Sequence, residues 1–197
     1  MTRLTIKHLA TLTAVLLLSV LAISCGGGGG SSGGGDGGGG NLTAVFMGDA
    51  AGDVGMSAGS SSGEDFEIQF NAVAIDKLAG AAFHIFFDHT SAALVGWSGT
   101  GSIFGAGGDY RAALVAPGEI AVEATMLGTG AGIDNATGLM ITLSFRATAS
   151  TSENRFTFGS DSPPDPARQV KICPTAGQPC SEEVPASWTG GTLMVTQ

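Results

Sequence analysis

The sequence predicts an all-β protein: antiparallel sheets packed as a sandwich or barrel behind a non-globular N-terminal segment. Three observations predict it. Apolar and polar residues alternate with period two in run after run beyond residue 41. Gly, Ser, Asn, Asp and Pro, the turn formers, fill the gaps between the runs. No window of twelve residues carries a helical apolar stripe. Strands with one wet face, separated by turns, belong to antiparallel sheets.

The elements follow in chain order. Residues 1–24 begin with Arg3, Lys7 and His8 and continue into an apolar run from Leu9 to Ile23. A membrane-spanning helix needs roughly 20 apolar residues. This shorter run with a basic front reads as an export signal. It ends in "LAISC", and twelve of the fifteen residues after Cys25 are glycine. Small residues before a cysteine resemble the lipobox of bacterial lipoproteins. That resemblance implies diacylglycerol on the Cys25 thiol, cleavage before Cys25 and acylation of the new amino terminus. Residues 25–40 then form a flexible linker, since glycine buries nothing and loses most entropy on ordering. Its reach is about 20 Å root-mean-square, with a limit near 50 Å. Gly26 follows the cysteine where some bacteria read an Asp as an inner-membrane signal, so the resemblance favours the outer membrane or cell surface.

Residues 41–197 form the folded domain. In "EDFEIQFNAVA", Phe66, Ile68, Phe70 and Ala72 take the dry face. Asp65, Glu67, Gln69 and Asn71 take the wet one. In "LAGAAFHIFFDHT", Ala81, Phe83, Ile85 and Phe87 oppose Ala82, His84, Phe86 and Asp88. "GEIAVEATM" aligns Ile120, Val122 and Ala124. "GLMITLSFRATA" aligns Leu139, Ile141, Leu143 and Phe145 against Thr142, Ser144 and Arg146. "NRFTFGS" adds Phe156 and Phe158, and "GGTLMVTQ" closes the chain with Leu193 and Val195. "SDSPPDPARQ" (160–169) is a polar, proline-broken loop. Together with the cysteine segment it makes residues 160–184 an insertion before the last strand. No internal repeat is present.

Charge narrows the function classes. The formal net charge is −9. Removal of residues 1–24 takes Arg3 and Lys7 away and leaves six basic and seventeen acidic residues, or −11. Nothing basic is clustered, which makes nucleic acid and anionic lipid poor partners. Cys173 and Cys180, in "CPTAGQPC", can close an eight-residue loop as a disulfide in an oxidising compartment. A zinc site would want four ligands, and only His84 and His89 offer nitrogen.

Catalytic constellations are poorly supported. "GMSAG" (55–59) matches G-x-S-x-G, but that chemistry needs a strand-to-helix turn and an ordered triad. Ser57 has no helix after it, and the plain reading is a turn leading into a strand. Glu64, Asp65 and Glu67 are clustered carboxylates, as glycoside hydrolysis would need, yet Asp65 and Glu67 share a solvated strand face. The expectation is no enzyme, no catalytic residue and no resident cofactor. Asp49 and Asp53, four apart in a glycine-rich loop, could take calcium with backbone carbonyls. His84 and His89 are not at metal-site spacing on a strand. Exposed aromatics carry more weight, because sugar rings and partner proteins both favour them. His84, Phe86, Trp97 and Tyr110 form the candidate binding face, with Phe86 on the wet side of its strand. Trp188 reads as core or edge packing.

"DKLAGAAFHIFFDHTSAALVG" resembles the cohesin signature, with Gly80, Phe83, Ile85, Phe87 and Asp88 on its positions. "GLMITLSFRATA" is similar to that family's later core strand through Gly138, Leu143, Phe145 and Arg146. "EEVPASWTGGTLMV" resembles its closing strand and "SAGSSSGEDFEIQFNA" its early one. The likeness covers roughly residues 54–197. His89 stands where the family has Pro, and the cysteine loop is not a family feature. The resemblance implies a jelly-roll sandwich of about nine strands, related to some carbohydrate-binding modules. It implies a non-catalytic module that holds a dockerin-like protein or a polysaccharide through one sheet face, in service of polysaccharide breakdown. A structural envelope lipoprotein without a soluble ligand is the alternative.

Overall fold

A computed structural model describes residues 41–128, 130–159, 168–183, 185 and 187–197. The export signal, Cys25 and the glycine-rich linker lie outside the described residues, as does most of the 160–169 segment.

Every regular element among the described residues is a strand. A larger sheet contains β1 (Thr43–Gly48), β4 (Leu78–Phe86), β6 (Asp109–Ala116), β7 (Glu119–Thr125), β9 (Thr151–Phe158), β10 (Arg168–Ile172), β11 (Ser181–Glu183) and β13 (Gly191–Thr196). A smaller one contains β2 (Val54–Ser62), β3 (Asp65–Ile75), β5 (Ala92–Ser98), β8 (Ala136–Ala147) and β12 (Trp188–Thr189), in the order β12-β2-β3-β8-β5. All pairings are antiparallel except β12 with β2. The thirteen strands exceed the expected nine because β10, β11 and β12 are short additions and β1 precedes the first strand read from the sequence.

The dry faces of the two sheets meet in one core. Phe66, Ile68, Phe70 and Ala72 of β3 are buried, as are Ala81, Phe83 and Ile85 of β4. Ile120, Val122 and Ala124 of β7 and Leu193 and Val195 of β13 are buried too, as their alternation requires. Phe156 of β9 lies at the centre, within 5.1 to 6.3 Å of the rings of Phe46, Phe66, Phe87 and Phe145. A second aromatic group joins Phe70, Phe83 and Phe158 to Trp188, whose ring centre is 4.8 Å from that of Phe158.

In three places the structure departs from the sequence reading. Strict alternation put Leu139 in the core, but Met140 is fully buried and Leu139 only half-buried. The pairing Phe70↔Ile141 is followed by Asn71↔Leu139, so Met140 is the extra residue of a β-bulge. A bulge breaks period two and lets neighbouring residues point the same way. "GMSAG" is not a turn leading into a strand but lies inside β2, paired with β3 from Gly55 to Ala58. Arg168 to Ile172, at the end of the proline-broken stretch, pairs with β4 and, together with β11, forms a hairpin on it.

Two polar devices hold the turns. Asn154 is 1 % exposed; its side-chain oxygen accepts from Asp88 N–H at 2.8 Å. Its amide donates to Asp88 O and Ser91 Oγ, each at 2.8 Å. The chain leaving β4 is thereby fixed to β9. Cys173 and Cys180 are disulfide-bonded with Cα atoms 4.3 Å apart and close the β10–β11 hairpin. In the chain-entropy model an eight-residue loop is worth about 2.5 kcal/mol. Replacing both cysteines by serine is expected to lower the unfolding free energy by about that amount in urea titration, while the far-ultraviolet circular dichroism keeps its strand signature.

Candidate functional site

The candidate site is the outer face of the larger sheet, centred on β4. This strand pairs with β7 along Gly80–Phe86. Its other edge is shared, with β10 along Leu78–Phe83 and β9 at Ile85 and Phe86. Directly opposed residues in antiparallel strands point to the same side. The outer rows are therefore fixed by register. His84 stands opposite Ala121, and Ala121 opposite Ala113. Ala82 lies between Glu123 and Gln169, with Arg111 beyond Glu123. Phe86 lies between Glu119 and Thr157.

Small residues at Gly80, Ala82, Ala113 and Ala121 make the middle of this face low. A cleft of about 560 Å³ runs over Gly80 and Ala82, walled by Glu123 and Thr125 on one side and by Gln169, Lys171 and Glu182 on the other. A smaller hollow of about 270 Å³ adjoins it over His84, Ala113 and Ala121. Phe86, 38 % exposed, stands at the end of β4. His84 Nδ1–H donates to Glu119 Oε1 at 2.6 Å, which ties the imidazole to β7. Arg111 is spent on Asp109 of its own strand at 2.6 Å, and Asp109 raises its already high pKa further. Glu123, Lys171 and Glu182 make no ion pair among the described residues.

The four aromatic and imidazole candidates do not come together. His84 and Phe86 share the outer face of β4. Trp97 belongs to β5 of the other sheet, 45 % exposed at its edge. Tyr110 is opposite the buried Ala124 and so turns to the core side of β6. Its hydroxyl donates to Gly105 O at 2.6 Å, and its ring lies where a Cβ at Gly99 or Gly108 would be. Tyr110 thus explains Gly99 and Gly108 as a packing requirement, whereas Gly101 and Gly105 take a positive φ. The sequence reading missed Glu119, Glu123, Gln169, Lys171 and Glu182. Alternation in "GEIAVEATM" placed both glutamates on a wet face, but nothing local says that β7 lies beside β4.

The remaining motifs resolve into structure. Ser57 Oγ accepts from Asn71 Nδ2 at 2.8 Å within the smaller sheet, whereas His84 is in the larger. Glu67 accepts from Ser60 Oγ at 2.6 Å. Asp65 accepts from Arg146 at 2.8 and 3.2 Å, with Glu64 3.3 Å from the same guanidinium. Asp49 accepts from Ala51 N–H and Asp53 from Ser187 N–H, so both carboxylates brace the loop before β2.

Arg146 holds the Asp65 carboxyl below the ordinary value of 3.8, and the Thr90 hydroxyl and N–H do the same for Asp88. A carboxyl whose pKa is depressed on folding stabilises the fold above its unfolded value and loses that effect as pH falls through its folded value. The melting temperature is therefore expected to drop below about pH 3.8 with a contribution from these two groups. The drop should be shallower in Asp88→Asn, as differential scanning calorimetry across pH 2 to 6 would record.

The sandwich, with β6-β7-β4-β9 in one sheet and β2-β3-β8-β5 in the other, is similar in fold to several solved structures. The sixth cohesin of Acetivibrio cellulolyticus scaffoldin B, solved in complex with a mutant Cel5 dockerin, superposes with a TM-score of 0.52 and 14% identity over 68% of this chain and 89% of that one. This is the cohesin fold. A type II cohesin domain from the A. cellulolyticus cellulosome gives a TM-score of 0.52 at 10% identity, covering 71% and 92%. The seventh ScaB type I cohesin of Pseudobacteroides cellulosolvens gives 0.51 at 12%, covering 70% and 88%. No family model and no curated protein matches the chain. On the cohesin fold of this chain, the disulfide-closed β10–β11 hairpin widens the sheet on the β4 side and supplies one wall of the cleft.

Proposed function

We propose that the chain is a non-catalytic binding module that takes a dockerin-like protein on the outer face of β4 and β7. The observation that carries this is the face itself. It is an open sheet surface with one exposed phenylalanine, a low middle of glycine and alanine, and the acids Glu123 and Glu182 around it. Such a mixture of aromatic anchor and polar rim suits a protein partner. The cohesin of scaffoldin B was solved in complex with a dockerin, which supports the same class of ligand here. The excess of acid favours a partner whose docking side is basic.

A polysaccharide is the second reading, since cohesin-like sandwiches resemble carbohydrate-binding modules. Sugar stacking asks for two or more coplanar aromatics in one groove, and Phe86, Trp97 and Tyr110 point to three different surroundings. Protein binding is therefore preferred. Anchoring is part of the proposal: Cys25 carries the lipid and residues 26–40 let the domain stand off from the bacterial membrane. Acyl chains in pairs hold a protein stably where one does not.

The test is capture from the source organism's envelope and secreted fractions on immobilised residues 41–197, alongside a glycan array. Recovery of a protein with a calcium-loop module supports the proposal. Glycan binding without protein capture moves the function to sugar recognition. Neither result would leave a structural envelope lipoprotein.

A further inference from the structure

We infer that the cleft over Gly80 and Ala82 takes a lysine or arginine side chain of the partner, and that the β10–β11 hairpin is the wall that selects it. The inference rests on the reading of this outer face as the partner site.

The hairpin adds little to the core. β11 buries none of its three residues, and β10 buries only Val170, opposite the core residue Ala81. Yet the hairpin is tied at its root. Cys173 N–H donates to Lys77 O at 3.0 Å, and Cys173 O accepts from Gly132 N–H at 2.8 Å. The disulfide carries that anchorage to Cys180, the residue before β11. A covalent tie on a strand that buries nothing holds its exposed side chains in place. Register says which side chains these are. Lys171 stands opposite both Gly80 and Glu182, and Gln169 opposite Ala82, so all three face outward along the cleft. Groups fixed before binding lose less freedom on contact, which makes the hairpin a preorganised part of the face.

The lining selects the occupant. Its charges are the carboxylates of Glu123 and Glu182 and the single ammonium of Lys171, so one entering positive charge balances the cleft. Arg111, beyond Glu123, does not supply it, being held by Asp109 at 2.6 Å. A metal ion is the wrong cation: among the described residues no three His, Cys, Asp or Glu side chains are close enough to hold one. The cleft also has an apolar part. Its floor is Gly80 and Ala82, and Met126 and Leu127 stand at the end where the chain leaves β7, with Leu127 67 % exposed. Lysine and arginine match this lining, since each lays an aliphatic stem along apolar surface and carries its charge at the tip.

The test is a titration of the isotope-labelled full chain, in detergent micelles, with Nα-acetyl-arginine amide, read by backbone amide chemical shifts. The matching citrulline amide is the uncharged isostere. Saturable shifts at Gly80, Ala82 and the hairpin are expected with arginine and not with citrulline. Glu123→Gln and Glu182→Gln should each weaken binding about two- to fivefold, the range of a solvent-accessible ion pair. Lys171→Gln should tighten it, because a like charge is removed. All three positions are exposed, so the fold stays intact. Replacing both cysteines by serine frees β11: in that background Glu182→Gln should lose its effect while Glu123→Gln keeps it, a non-additivity that loss of stability alone does not produce. Equal response to arginine and citrulline, equal shifts at Asp65 or Asp134, weaker binding in Lys171→Gln, or a Glu182→Gln effect that survives without the disulfide would overturn the inference. The probe involves no partner, so its failure leaves the reading of the Phe86 face standing, and a failed capture beside a successful titration counts against that reading alone.

Discussion

Replacing Phe156 by alanine is expected to lower the free energy of unfolding by about 4 kcal/mol, the largest loss from any single truncation in this domain. The side chain is fully buried. Its ring meets Phe46, Phe145 and Phe66 edge-on and stacks on Phe87 at an interplanar angle of 7°. These rings come from both sheets, so no single strand shift can refill the space. The cost combines lost transfer free energy with the cavity left behind. Domains of this size are stable by about 5 to 15 kcal/mol, so the variant should sit near its folding threshold at 37 °C. In urea the midpoint should fall with the slope unchanged. A loss of about 1 kcal/mol or less would mean that the two sheets do not meet at this ring.

The second large effect concerns recognition. Phe86→Ala is expected to weaken capture of the protein partner by about 10- to 100-fold, the range of a central aromatic anchor. The melting temperature should barely change, because Phe86 is exposed on the outer side of β4. Trp97→Ala should leave capture intact, since Trp97 lies on the edge of the other sheet. A variant pair with the opposite ranking would shift the site to the smaller sheet.

Much of the fold was legible because a half-buried antiparallel strand records its two faces in alternate residues. Phe66, Ile68 and Phe70, or Phe83 and Ile85, declare themselves locally. Alternation fails where the backbone breaks step. The bulge at Met140 reverses the parity that had placed Leu139 inside. Short strands such as β11 and β12 carry too few residues to show any period and exist because a neighbour's edge was open.

The candidate site was legible only along β4. Parity placed His84 and Phe86 on a wet face, and they are there. Which strands flank them is a matter of long-range order, set by contacts between residues dozens of positions apart. Glu119 is 35 residues from His84 in sequence yet 2.6 Å from its ring. Trp97 and Tyr110 were grouped with Phe86 on residue type alone. Type does not say which sheet an aromatic joins or whether it serves to cover glycines. The cysteine pair was legible as a bond, but its place beside β4 was not.

We propose that this cohesin fold meets its partner on the outer face of β4 and β7. Hydrogen–deuterium exchange of residues 41–197, free and saturated with the captured partner, tests it most directly. Added protection is expected in Gly80–Phe86, Glu119–Thr125 and the β10–β11 hairpin, with β2, β3 and β8 unchanged. Protection confined to the smaller sheet, with β4 and β7 exchanging as in the free protein, would contradict it.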